Sequence, residues 1–153
     1  IIMTITPRKL NIFTMFKLPA AYFCGVRSQY IDANKCVVTV RYRWINQNPF
    51  RSMFWAVQGM AAEFTTGALM MIKIKESNKN VSMLVTSNSA TFSKKAIGRI
   101  MFTCNDGSLI DDALLIAIET GEGQTISMKS VGVNEEGIEV STFIFEWSIK
   151  VKS

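Results

Sequence analysis

Ser52-Met-Phe-Trp-Ala-Val-Gln-Gly-Met-Ala-Ala-Glu-Phe-Thr-Thr-Gly-Ala-Leu-Met-Met-Ile72 decides the fold. Its helix-forming residues and its length predict one helix running on to about Lys75. Between Arg51 and Lys73 the only ionisable side chain is Glu63. A helix that is apolar on every face must be buried, in a protein core or in a bilayer. About 20 apolar residues suffice to cross hydrocarbon. Here, however, Gln58, Glu63, Thr65 and Thr66 dilute the centre of the segment, where a charge is most costly. The rest of the chain reads as sheet, which cannot cover a lone span. The stretch is therefore expected to be a central core helix, with no membrane span.

Working upstream, Asn46-Gln47-Asn48-Pro49 stops whatever precedes the helix, and Asn48 or Ser52 would cap it. From Arg27 to Trp44 the sequence alternates: Cys36, Val38, Val40 and Tyr42 face one way, Val37, Thr39, Arg41 and Arg43 the other. Asp32-Ala33-Asn34-Lys35 breaks this run with turn chemistry, giving a hairpin or a broken strand. Thr6 to Cys24 carries Leu10, Phe13, Phe16, Leu18 and Tyr22 among lysines, the pattern of one or two short amphipathic helices ending at Gly25.

Downstream, Ser77-Asn78-Lys79-Asn80 ends the long helix and strands follow over Val81–Phe92 and Arg99–Cys104, with a turn between them. Ser108-x-x-Asp111 has the form of a capping box, and the helix it opens shows the stripe Leu109, Ile110, Ala113, Leu114, Ala117, Ile118. Gly121 stands where a C-cap glycine belongs. Two last strands, about Thr125–Val133 and Ile138–Val151, meet at Asn134-Glu135-Glu136-Gly137. The layout is α+β, a long central helix with an antiparallel sheet of about five or six strands on it.

The chain of 153 residues fits one core, with an N-terminal helical segment at 1–25 and the main body at 26–153. A net charge of +5 without clustered basic residues gives no case for nucleic acid, though it suits anionic ligands such as nucleotide phosphates. The three cysteines, Cys24, Cys36 and Cys104, have no metal-like spacing and fit reduced thiols in the cytoplasm. No basic segment leads into an apolar core and a cleavage site, so a cytoplasmic protein is expected. Histidine is absent altogether. That removes Ser-His-Asp and Cys-His catalysis and nearly all zinc hydrolase sites, and no metal is expected.

Arg41-Tyr-Arg-Trp-Ile-Asn46 leading to Asn48, the Ala61-Ala-Glu63 helix, Phe92-Ser-Lys-Lys-Ala-Ile-Gly98 and the closing hairpin through Trp147-Ser-Ile-Lys150 come in a telling order. Over residues 16 to 152 that order resembles the hot-dog superfamily. It is most similar to a branch known only as a domain of unknown function beside the acyl-CoA thioesterases. The resemblance implies a homodimer, which could assemble further into a tetramer, with its long helices side by side and the active site between subunits. It implies that a helix carboxylate activates water or attacks the thioester carbonyl. A backbone N–H about two turns upstream would bind the carbonyl oxygen. Glu63 matches the carboxylate and Trp55 the amide. A helix N-terminus suits the second task, because its free N–H groups and positive dipole end stabilise an oxyanion.

Relatives carry His-Gly or Gly-Gly where this chain has Phe54, Trp55 and Ala56. Trp55 either lines an acyl pocket or plugs the site. The candidate catalytic residues are Glu63, Trp55 and Asn48. The candidate substrate contacts are Asn46, Phe54, Gln58, Gly59, Thr66, Ser93, Lys94 and Lys95, the lysines reaching phosphates at the nucleotide end of coenzyme A. Coenzyme A would enter as part of the substrate, with no separate cofactor. Several have a plainer alternative. Glu63 could be held by Arg41, Arg43, Arg51 or Gln58 across the dimer, Gly59 could serve helix packing, the asparagines could be turn residues, and the lysines a solvated turn. The function expected is an acyl-CoA or acyl-carrier thioesterase. The alternative is a non-catalytic hot-dog module that binds an acyl chain or serves as a dimeric scaffold.

Overall fold

The computed structural model describes residues 4–153. The apolar stretch forms helix α3 (Trp55–Glu76), 22 residues long. Val57, Ala61, Ala62, Phe64, Ala68 and Leu69 are buried along it. The two threonines at its centre are accommodated by internal hydrogen bonds, as burial demands. Thr65 Oγ1 donates to Ala62 O and pairs with Ser130 Oγ at 2.9 Å. Thr66 Oγ1 donates to Glu63 O and accepts from Trp147 Nε1 at 2.9 Å. Near its C-terminus Lys73, nine-tenths buried, meets Asp111 at 2.8 Å.

The helix begins later than Asn48 or Ser52 would set it. Its N-cap is Phe54, which offers no side-chain cap. Asn48 and Ser52 are engaged with the preceding loop instead. Asn48 Oδ1 accepts the N–H groups of Phe50 and Ser52, and its Nδ2 donates to Ser52 Oγ.

Six strands make one antiparallel sheet: β1 (Arg27–Ile31), β2 (Cys36–Arg41), β3 (Val81–Phe92), β4 (Arg99–Cys104), β5 (Gln124–Val133) and β6 (Glu139–Val151). Their spatial order is β1-β2-β4-β5-β6-β3. Helix α3, inserted between β2 and β3 in the chain, packs on β2, β4, β5 and β6. Phe143, Phe145, Trp147 and Ile149 alternate inward from β6. Cys36, Val38 and Val40 are buried as their alternation requires, but so are Val37 and Thr39 on the opposite face. Gln29 Nε2 reaches across from β1 and donates to Thr39 Oγ1 at 3.0 Å, while Arg41 on the same face stays exposed. Cys36 and Cys104 are register partners, both free and buried, and desolvation pushes each thiol up to about 12. They are packing residues, not reactive thiols.

The N-terminal segment forms α1 (Pro7–Lys17) and α2 (Pro19–Phe23), and Gly25 follows at φ +95°. Leu10 is buried, whereas Phe16, expected on the same stripe, is 74% exposed. Helix α4 (Gly107–Thr120) starts one residue before Ser108, with Asp106 at its N-cap. The capping box therefore does not form. Ser108 lies inside the first turn, and Asp111 turns to Lys73. At the other end Gly121 takes the left-handed conformation, φ +74°, as its C-cap position predicted. Among the described residues no helix is long and apolar enough to cross a membrane.

The loop before α4 packs tightly. A Cβ on Gly107 would stand 2.3 Å from Ala33 O and 2.6 Å from Asn34 Cα, both backbone atoms that cannot swing aside. Gly107→Ala is expected to cost about 3 kcal/mol. At Gly121 nothing lies within 4 Å, so Gly121→Ala should cost only its left-handed strain, about 1 kcal/mol. Urea midpoints at unchanged m-value check both.

Candidate active site

At the N-terminal end of α3 the loop Asn46–Met53 and the turn after β3 close around a cavity of about 510 Å³. That volume is in the range of small-molecule sites. Asn48, Phe54, Trp55, Gln58, Lys94 and Lys95 line it, with Phe50 and Phe92 adding apolar wall. Three backbone bonds hold the walls together: Phe54 N–H donates to Asn46 O at 2.8 Å, Met53 N–H to Ala96 O at 2.9 Å, and Tyr42 N–H to Gly98 O at 2.8 Å. Trp55 stands in the first turn of α3 and is 56% exposed, its ring edge-on to Phe54 at 6.1 Å. It forms part of the wall and leaves the cavity open. Among the described residues, the N–H groups of Trp55 and Ala56 donate to no protein acceptor. They point from the positive end of the helix dipole.

Gln58 is buried and oriented. Its Oε1 accepts from Ser141 Oγ at 2.8 Å, and its Nε2 reaches Met53 O at 3.4 Å. Sequence reasoning had no signal for Ser141, which comes from β6, 83 residues away. Lys95 Nζ donates to Phe50 O at 3.3 Å, bringing its charge over the cavity, and Lys94 is exposed beside it.

Glu63 lies eight residues beyond Trp55, about 12 Å along the helix axis, and is not part of the cavity wall. It is partly buried, and burial pushes its carboxyl above the usual carboxylate range. Among the described residues no side chain bonds its carboxylate and no cation pairs with it. Arg41, Arg43 and Arg51 do not reach it within the protomer, and Gln58 is engaged elsewhere.

The remaining candidates separate. Asn46 is buried and fully used: Nδ2 donates to Cys24 O and Arg41 O, both at 2.9 Å, and Oδ1 accepts Arg43 N–H. Asn48 lines the cavity, though its bonds go to the Phe50–Met53 loop. Gly59 lies beside Phe143 on β6, 3.5 Å from where a Cβ would be, an ordinary contact that does not itself require glycine, and it is not part of the cavity wall. Thr66 is buried behind Glu63 on Trp147. Ser93 Oγ donates to Glu139 O, outside the cavity. Among the described residues no group of three His, Cys, Asp or Glu side chains stands together as a metal site.

A long helix seated on one antiparallel sheet is the hot-dog fold. A family model described as "Domain of unknown function (DUF4442)" matches residues 8–149, and the chain belongs to that family. Solved structures agree on the fold. A Pseudomonas aeruginosa protein of unknown function, described as a probable thioesterase, superposes with a TM-score of 0.81 at 19% identity, covering 96% of this chain and 97% of its own. A protein of unknown function from Chlorobaculum tepidum gives 0.80 at 19% identity over 96% and 98%. A thioesterase from Haemophilus influenzae gives 0.75 at 13% identity over 97% and 93%. No curated protein matches the chain.

The raised carboxyl of Glu63 has a consequence for stability. Its folded form holds the proton to higher pH than the unfolded chain does. Its contribution is therefore full below the ordinary carboxylate value and is lost as pH rises through the raised folded value. Glu63→Gln, which stays neutral, should gain stability relative to the parent as pH rises through that window. Paired urea titrations from acid to neutral pH measure the difference; parallel curves would contradict it.

Proposed function

We propose that this protein hydrolyses acyl thioesters carried by coenzyme A or by a carrier protein. The observation that carries this is the open cavity at the start of α3, lined by Trp55, whose N–H has no acceptor among the described residues, and by Lys94 and Lys95. The Trp55 N–H would hold the thioester carbonyl oxygen as negative charge develops on it. Lys94 and Lys95 would hold phosphates at the mouth. Glu63, an unpaired and partly buried carboxylate, would take a proton from water as its oxygen attacks the carbonyl carbon. The carbon–sulfur bond then breaks and the thiolate leaves to be protonated.

Within one protomer Glu63 lies about 12 Å from the Trp55 level. A homodimer with the α3 helices side by side would set Glu63 of one copy near the cavity of the other. A second reading is favoured by that same separation and by the tryptophan at the oxyanion position: a non-catalytic module that holds an acyl chain.

Thiol release from acyl-CoAs of several lengths tests the proposal. The parent should turn over, and Glu63→Gln should lose about 100- to 10,000-fold in kcat. Lys94→Ala with Lys95→Ala should raise KM about tenfold with kcat little changed. A folded dimer with no turnover at any length would leave the acyl-binding module.

A further inference from the structure

Charge is distributed unevenly along this chain. Before Glu63 the sole acid is Asp32, against Arg8, Lys9, Lys17, Arg27, Lys35, Arg41, Arg43 and Arg51. The fold gathers part of that excess at one end. Asn46 is the hub, binding the carbonyls of Cys24 and Arg41 and, through its own carbonyl, the N–H of Phe54. The end of α2, the 3-10 turn Trp44–Asn46 and the start of α3 therefore lie side by side.

Large apolar side chains stand outward there: Phe23 is 70% exposed, Trp44 82%, Ile45 52% and Phe50 70%. Folding alone gives no reason for a tryptophan so far into water, and neighbouring exposed apolar groups of this size mark an interaction surface. Arg41, Arg43, Arg51, Lys94, Lys95 and Arg99 are exposed among and beside them. Arg41 and Arg99 are directly opposite one another on β2 and β4, a like-charge pair that costs stability. Among the described residues none of these six cations is in a salt bridge. Two carboxylates stand at the edge of this group, Glu135 accepting the Arg99 N–H and Glu139 accepting from Thr142 Oγ1, and the six cations outnumber them.

We propose that this end of the molecule is a docking surface for an anionic lipid bilayer. Trp44, Phe23 and Phe50 would enter the headgroup layer, and Arg41 and Arg43 would lie against lipid phosphates. Tryptophan and phenylalanine beside arginine and lysine are suited to that interface, and each basic residue adds attraction to a negative leaflet. The aromatics project from separate segments around the Asn46 hub, so they can enter a fluid headgroup layer one by one. Phe50, Lys94 and Lys95 belong both to this surface and to the cavity wall, so the cavity mouth would face the lipid. The proposal does not depend on hydrolysis.

The full chain should float with phosphatidylcholine vesicles containing phosphatidylglycerol, bind phosphatidylcholine vesicles weakly, and release as salt rises. Arg41→Glu and Arg43→Glu should each weaken binding about fivefold or more. Trp44→Ser should weaken it further and remove a blue shift of the tryptophan emission. These side chains are exposed, and circular dichroism and the melting midpoint confirm that each variant folds. The proposal fails if the parent does not float with anionic vesicles at low salt, if it binds both vesicle types alike, or if the variants bind like the parent. It fails equally if the substitutions instead change particle size in solution, which would give the surface to a second copy. Capture by an acidic carrier protein with no vesicle binding would give it to a protein partner.

Discussion

Helix α3 has almost nothing to offer water, and the rest of the structure follows from hiding it. Each large side chain it buries is worth about 1.5–3 kcal/mol, so the sheet that covers it is stabilised by the same contacts that exclude solvent from the helix. The cover has to accept the polar residues that interrupt the helix. Trp147 Nε1 donates to Thr66 Oγ1, which donates to Glu63 O, so β6 is tied to the helix backbone by hydrogen bonds as well as packing. Phe143 and Trp147 lie over Gly59 and Gly67, 3.5 Å and 3.4 Å from where a Cβ would stand, which is ordinary contact. Removing β6 would expose the helix and take the Trp147 donor from Thr66 and the Ser141 donor from Gln58.

That cover is incomplete on one strip. Met60, Glu63 and Met71, spaced along one side of α3, are only partly buried. Strand β3 pairs with β6 on one side and ends the sheet on the other. A partly buried, unpaired carboxylate on an apolar helix and an open sheet edge are both unfavourable left to themselves. The proposed dimer would resolve them together, covering the strip and bringing Glu63 to a cavity its own protomer places elsewhere.

The start of α3 serves two purposes because of how its loop is built. Asn46, Asn48 and Ser52 hold the backbone through their own side chains, which leaves the first-turn N–H groups free and turns Trp44, Phe50 and Trp55 outward. A side-chain N-cap on α3 would have consumed donors that the proposed thioester site needs.

Much of this was legible along the chain. The apolar length of α3, the period-two alternation of β2, and Gly121 at a helix end are local signals, set by helix burial, pleat geometry and the left-handed region. The ordered motifs carried the resemblance to hot-dog proteins, and the family match and the fold agree with it. Local signals failed where a side chain had a competing partner. Asn48 and Ser52 bond one another and do not cap α3, and Asp111 bonds Lys73 and does not close a capping box. The sheet order, the Gln58–Ser141 pair and the separation of Glu63 from the cavity depend on residues distant in sequence meeting in space. Composition and periodicity therefore determined that a buried helix lies on an antiparallel sheet. Which polar groups are spent on the fold and which are left free for chemistry was decided only when long-range contacts chose their partners.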